Sequence, residues 1–416
     1  MKPSVAMAAL ILAPLAGAAL AFVLPRFGRW LTLAAAAIAG ASAVALARHV
    51  HDAGPVRHLV GGWGAPLGID LWADGLSAWL LLVTTGVGVA VALYAPHYFA
   101  PSAGHGRTEA THQQQYFWPL FLFLWAGLNA LFLSADLFNL YVTLELLGFA
   151  AVVLVALAGG RAALNAALRY LLVSLAGSLF YLMGVALVYG AHSTVDLALL
   201  AEAVRPEPAA WTALALMTVG LMMKAAVFPL HFWLPPAHAH APAPVSALLS
   251  ALVVKGAFYI LLRLWFGAFS EIATPAAHQW LGALGTAAIL WGSWLALCQS
   301  RLKLLIAYST VAQLGYLLLV FPLAANPHGF NAWGGALILL AAHACAKTAM
   351  FLAAGNLLRA AGHDDIGRLG GIAAALPLTA TTITLASVSL IGLPPSSGFL
   401  GKWLLLNAAL TQGQWW

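Results

Sequence analysis

Two lysines, Lys224 and Lys255, stand in apolar runs long enough to lie inside a bilayer. Between them the chain passes Pro229, Pro235, Pro236, Pro242 and Pro244, interleaved with His231, His238 and His240. The whole stretch, residues 220–265, reads GLMMKAAVFPLHFWLPPAHAHAPAPVSALLSALVVKGAFYILLRLW. A lysine at membrane depth costs roughly 3 kcal/mol on insertion scales and more in simulations. Proline there frees backbone carbonyls, which are tolerated only inside protein or beside water. A stretch that carries both costs reads as a polar path built through the membrane, and protons are what lysine and histidine can carry along it. Histidine titrates near working pH in its unperturbed state, so the three near the proline break suit a shuttle; an interfacial loop cluster is the competing reading.

Other ionisable groups fall at comparable depth. Glu145, in SADLFNLYVTLELLGFAAVVLVAL, lies some ten residues into an apolar run, roughly 15 Å along a helix axis. Asp136 opens the same run and fits a helix N-cap better than a relay group. In AAHACAKTAMFLAAGNLLR, His343 and Lys347 fall at i and i+4, on one helix face. Lys402 follows a second proline break, Pro394-Pro395, in SLIGLPPSSGFLGKW. A buried lysine beside an interrupted helix therefore occurs twice, and paired interruptions of this kind point to an inverted-repeat transporter and its ion site.

The elements that must position these groups are membrane helices. Of 416 residues, 63% are hydrophobic and 7% charged, which excludes a soluble globular class and predicts an all-α polytopic membrane protein. Runs near the ~20 residues of a bilayer span predict twelve of them: 3–24, 30–47, 74–94, 116–134, 136–158, 164–189, 209–233, 242–267, 276–298, 303–323, 333–357 and 371–411. The last is expected as two half-helices cut at Pro394-Pro395. Nothing divides the chain, so residues 1–416 are read as a single transmembrane domain. The N-terminal run is too long for a signal-peptide core and is taken as the first span. Loops after odd-numbered spans hold Arg26, Arg29, Arg107, Arg161, Arg301, Lys303, Arg359 and Arg368; those after even-numbered spans hold Arg48, Arg57 and Arg205. That bias places the N-terminus outside. The net charge of +6 is spread thinly over loops, so no nucleic-acid surface is expected. Cys298 and Cys345 form no haem, iron–sulfur or disulfide pattern, and no cofactor or metal site is expected.

The runs SADLFNLYVTLELLGF, MKAAVFPLHFWLPPAHAHAPAPVSALLSALVVK, RLKLLIAYSTVAQLGYLLL, HACAKTAMF and GLPPSSGFLGKWLLL resemble the proton-conducting, antiporter-like subunits of respiratory complex I and of Mrp-type cation/proton antiporters. The resemblance covers about residues 70–416. The form GLPPSSGFLGK is similar to the D subunit of Mrp-type antiporters, whereas HAHAPAPVSALL leans toward the complex I-like members. The family fold implied is about fourteen helices with two inverted five-helix repeats, here 116–267 and 276–416. Since the sequence stops at Gln414-Trp415-Trp416, where the family's thirteenth helix would begin, the second repeat is expected to be incomplete and Lys402 less shielded than Lys224.

Carried over position by position, the resemblance implies a proton relay through Glu145, Lys224, Lys255, His343, Lys347 and Lys402, with His231, His238, His240 and Asp136 as secondary candidates. It implies a cell-membrane subunit of a hetero-oligomeric Mrp-type Na+(K+)/H+ antiporter, its partners being other membrane subunits, the lipid bilayer, protons and Na+ or K+. The alternative it leaves open is a proton-pumping membrane-arm subunit of a complex I-like NADH:quinone oxidoreductase or related hydrogenase complex, with the redox chemistry in partner chains. A third reading is a structural helical subunit whose buried charges specify assembly.

Overall fold

The structure is a computed structural model that describes residues 1–100, 107–325 and 329–414, with side chains from residue 113 onward in the helix after the first gap. The Trp415-Trp416 pair, which as an aromatic pair would suit a membrane interface, lies outside the described residues.

Apolar composition over runs of 20 or more residues, with backbone polar groups that only a helix can satisfy in lipid, gives long helices almost throughout. In order these are α1 (Pro3–Val23), α2 (Gly28–Ala53), α3 (Gly75–Tyr98), α4 (Arg107–Leu133), α5 (Leu137–Ala156), α6 (Gly160–His192), the short α7 (Leu197–Ala203) and α8 (Pro208–Lys224). Between α2 and α3 lies a hairpin that the composition did not suggest, β1 (Val56–Leu59) antiparallel to β2 (Asp70–Ala73), with Val56 opposite Ala73. After α8 the chain is irregular until α9 (Leu234–His240). Next come α10 (Ala243–Leu248) and α11 (Val254–Arg263), joined by a π-helical stretch Leu249–Val253 into one apolar run, Ala243–Ala268. There follow α12 (Pro275–Leu297), α13 (Leu302–Leu318), α14 (Val320–Ala324), α15 (Phe330–Ala361), the single-turn α16 (Ile372–Ala375), α17 (Pro377–Ile391) and α18 (Ser397–Thr411).

Among the described residues, 10 helices are long and apolar enough to cross a membrane. The other two of the twelve expected spans are interrupted helices. The seventh, expected over 209–233, closes at Lys224: α8 has 17 residues, about 25 Å, short of the ~30 Å core. The twelfth is two 15-residue halves, α17 and α18, parted at Pro394-Pro395 as expected. Both breaks contain a cis X-Pro bond, Phe228-Pro229 and Pro394-Pro395.

The chain forms two compact units. Unit 1 comprises Met1–Ala225 and Leu252–Ile272; unit 2 comprises Ala226–Ala251 and Ala273–Trp416. In unit 1 the tightest seam is α6 against α8. A Cβ on Gly220 would come within 2.3 Å of the Gly177 carbonyl oxygen, so the backbones touch where only hydrogen fits. Small residues are how membrane helices reach that distance, since packing and not water exclusion holds them together. Unit 2 repeats the device between α12 and α13, where a Cβ on Gly315 would sit 2.4 Å from the Gly285 carbonyl oxygen.

Candidate functional site: a buried ion pair and two broken helices

The seam between α6 and α8 sets the position of Lys224. As the last residue of α8, its side chain leaves the helix where the backbone unwinds, and it is 6% exposed. Its Nζ donates to Glu145 Oε1 at 2.7 Å and to Ser174 Oγ at 3.0 Å. Ser178, one turn along α6 from Ser174, donates to the same Glu145 Oε1. Gly148, one turn after Glu145 on α5, leaves the room this needs: a Cβ there would meet Ser174 Oγ at 3.1 Å. Three helices thus converge on one ion pair. A cavity of about 10 Å³ borders Lys224, Tyr170 and Ser174, with Val253 and Ala257 on its far wall. That is room for about one water. That wall is part of the helix that carries Lys255, which is itself 1% exposed but is not among the residues lining the cavity.

Unit 2 places its candidates on two helices and a break. His343 and Lys347 are wholly buried on one face of α15, as their spacing implied. Lys347 Nζ donates to the Ile306 carbonyl at 2.7 Å and to Ser309 Oγ, both on α13. Lys402 Nζ donates to the carbonyls of Leu390 (2.7 Å) and Ile391 (3.3 Å), at the end of α17, and lies 4.4 Å from the centre of the Tyr316 ring. Those carbonyls lose helical partners at the Pro394-Pro395 break, and the lysine together with Gln313 Nε2, 3.1 Å from Leu390 O, replaces them. Lys402 is half-buried, so it is more exposed than Lys224. Of the three histidines, His238 is fully buried on α9 with its ring stacked 5.0 Å from Phe351. His231 is buried in the unwound stretch beside Phe228, and His240 is half-buried at the end of α9.

Asp136 caps α5, its Oδ1 accepting from Asn139 N at 2.6 Å. Burial, helped by the neighbouring Asp196 and Asp70 carboxylates, pushes its carboxyl up against the pull of the Asn139 and Phe138 N–H groups.

Other buried charges were not found from sequence. Lys303, counted there as a loop charge, lies in α13, is 2% exposed, and donates to the Ala241 carbonyl at 2.5 Å. Ala241 follows α9 and precedes Pro242, so Lys303 closes the C-terminal end of that short helix. Arg263 grips Asp74 with two bonds of 2.6 Å and stacks 4.4 Å from the Trp72 ring. Burial works to raise the Asp74 carboxyl, but Arg263 and the Ser77 N–H and hydroxyl hold it below its usual value. Arg57, in β1, bridges Asp70 at 2.7 Å and Asp196. A basic residue next to a hairpin carries no sequence mark that separates a topology charge from an internal strut.

Residues 134–416 match the family described as NADH:quinone oxidoreductase/Mrp antiporter, TM. The N subunit of the NADH-quinone oxidoreductase of Desulforudis audaxviator (strain MP104C) is 39% identical over 395 residues, covering 94% of this chain and 76% of the relative. The D subunit of the Na+/H+ antiporter of Alkalihalophilus pseudofirmus is 30% identical over 368 residues, covering 88% and 72%. Among solved structures, the Mrp complex from Dietzia sp. DQ12-45-1b matches with a TM-score of 0.91 at 30% identity, over 100% of this chain and 76% of that chain. A chain of the membrane-bound sulfane sulfur reductase, an archaeal respiratory membrane complex, matches with a TM-score of 0.88 at 29% identity, over 97% and 81%.

Proposed function

This chain belongs to the NADH:quinone oxidoreductase/Mrp antiporter membrane-subunit family, and on that premise we propose that it moves protons through a buried relay of Glu145, Lys224, Lys255, His343, Lys347 and Lys402. The observation that carries the proposal is the 2.7 Å contact between Lys224 and Glu145 at the end of a helix too short to span. Two charges taken out of water cost several kcal/mol each and are often matched or bettered by apolar packing, so a pair kept in a membrane core marks function.

In the relay, Glu145 close to Lys224 favours the charged ammonium. Drawing the carboxylate away leaves a buried cation without its partner, and the proton passes on toward Lys255. His231, His238 and His240 serve the unwound stretch, His343 and Lys347 accept further on, and Lys402 discharges at the second break. Asp136 contributes by capping the helix that aims Glu145. The first inverted repeat corresponds to 116–267 and the second to 276–416.

The assembly we favour is an Mrp-type Na+(K+)/H+ antiporter in the cell membrane, with the N-terminus outside and other membrane subunits as partners. Full coverage of this chain by a chain of the Dietzia Mrp complex supports that reading. A second reading, a proton-pumping subunit of a redox-driven complex, is supported by the 39% identity to a NADH-quinone oxidoreductase subunit. Proteoliposomes containing the native complex, with internal pH followed by a fluorescent probe, separate the two. Antiport predicts pH change on an imposed Na+ or K+ gradient and none on NADH with quinone; the second reading predicts the reverse. An assembled Lys224→Met complex that moves protons at the wild-type rate under either drive would sink the relay itself.

A further inference from the structure

Unit 1 carries a hollow of about 840 Å³ that the relay does not use, lined almost wholly by carbon. Its walls are α1 and α5 and its floor is α4, which packs against both. Pro119 on the floor and Ala18, Ala19 and Ala156 on the walls supply the depth, because none projects far enough to fill it. Along α1 it runs from Leu15 to Val23, about 12 Å at 1.5 Å per residue. Beyond Leu15 it closes: Leu10 and Met7 are fully buried, and Asn129 Nδ2 donates to the Leu10 carbonyl at 2.7 Å, pinning α4 to α1.

The closed end decides what fits. A partner's membrane helix needs a groove along the whole ~30 Å core, whereas a lipid from one leaflet needs about half of it. The 12 Å run matches one leaflet. The open end then supplies the headgroup chemistry. Val23 and Leu157 line the mouth, and the exposed Arg26 and Arg161 follow three and four residues later. Gly28 is packed under the Trp118 ring, which holds the turn bearing Arg26 against the first part of α4, next to the groove-lining Tyr116. Both arginines belong to the loops whose basic excess marks one face of the membrane, the face where anionic lipids gather. We propose that this hollow is a binding site for an anionic phospholipid, its acyl chains between α1, α4 and α5 and its phosphate between Arg26 and Arg161.

The test is native mass spectrometry of the full-length chain purified in detergent and titrated with dioleoyl phosphatidylglycerol or dioleoyl phosphatidylcholine. These share acyl chains and differ in headgroup charge. Wild type is expected to retain phosphatidylglycerol preferentially. Arg26→Gln with Arg161→Gln, both surface changes that leave the packing alone, should weaken phosphatidylglycerol retention by about thirtyfold and leave phosphatidylcholine unchanged. Ala19→Trp fills the hollow and should abolish retention of both. Equal retention of the two lipids by wild type, or phosphatidylglycerol retention indifferent to the arginine changes, would overturn the proposal. So would a photo-crosslinker on Leu15→Cys that captures a protein subunit and not phospholipid in the assembled complex.

Discussion

Separating Glu145 from Lys224 by mutation is the sharpest way to test whether the ion pair is held by mutual attraction or only tolerated. At 2.7 Å, two unit charges attract by about 6 kcal/mol at an effective dielectric of 20. Desolvation of both groups offsets most of that, so the net value of the pair is small, while losing one member is expensive because the other stays buried and charged. The two members are not equivalent. The Glu145 side chain is 15% exposed and keeps the Ser178 hydroxyl; the Lys224 side chain is 5% exposed and would keep only Ser174. Lys224→Met is therefore expected to cost about 3 kcal/mol and Glu145→Gln about 4. Changed together they leave no stranded charge, so the double variant should cost about 1 kcal/mol, less than either single change, in place of the additive sum of about 7, a coupling of about 6 kcal/mol. Reversible unfolding in mixed micelles measures all four corners of the cycle, and the yield of assembled complex should follow the same order. Coupling below about 0.5 kcal/mol would refute the reasoning, because residues in contact through opposite charges cannot be additive.

Lys255→Ala removes a buried cation that is 1% exposed; the complex is expected to assemble near normally and lose most proton transport, and a rate within about twofold of wild type would leave packing as its role. Gly220→Ala puts a methyl 2.3 Å from the Gly177 carbonyl, so α6 and α8 must part and Lys224 must shift; thermal stability should fall by several kcal/mol, with transport lost in whatever folds. Asp74→Asn should cost about 3 kcal/mol near pH 7 by stranding Arg263. Because Arg263 holds the Asp74 carboxyl below its unfolded value, its contribution is fully present above about pH 4 and is lost as pH falls through the lower folded value. The stability gap between wild type and Asp74→Asn should therefore narrow only below about pH 4, and a gap that closes at higher pH would contradict the arrangement.

The membrane class, the long helices and both interruptions could be read from the chain alone. Apolar runs of bilayer length permit no other backbone, and proline interrupts a helix wherever it stands inside one. The same local rules gave the shared face of His343 and Lys347, because four residues on a helix bring side chains together whatever surrounds them. They also gave Asp136 as a cap, since capping acts within one turn. What stayed hidden depends on which helix faces which. Glu145 and Lys224 are 79 residues apart, and no periodicity reveals that their faces meet across Ser174 and Ser178. Lys303 and Arg57 read as loop charges because burial of a basic residue near a helix or strand end depends on whether another segment offers it a carbonyl or carboxylate. Ala241 does so for Lys303, 62 residues away, and Asp196 for Arg57, 139 away. Glycine hides its role in the same manner. Gly177 and Gly220 are ordinary letters in two apolar runs until packing brings their backbones into contact, and that contact fixes where the lysine emerges. Local sequence decides which segments become helices; desolvation and close packing between distant segments decide which charges end up paired.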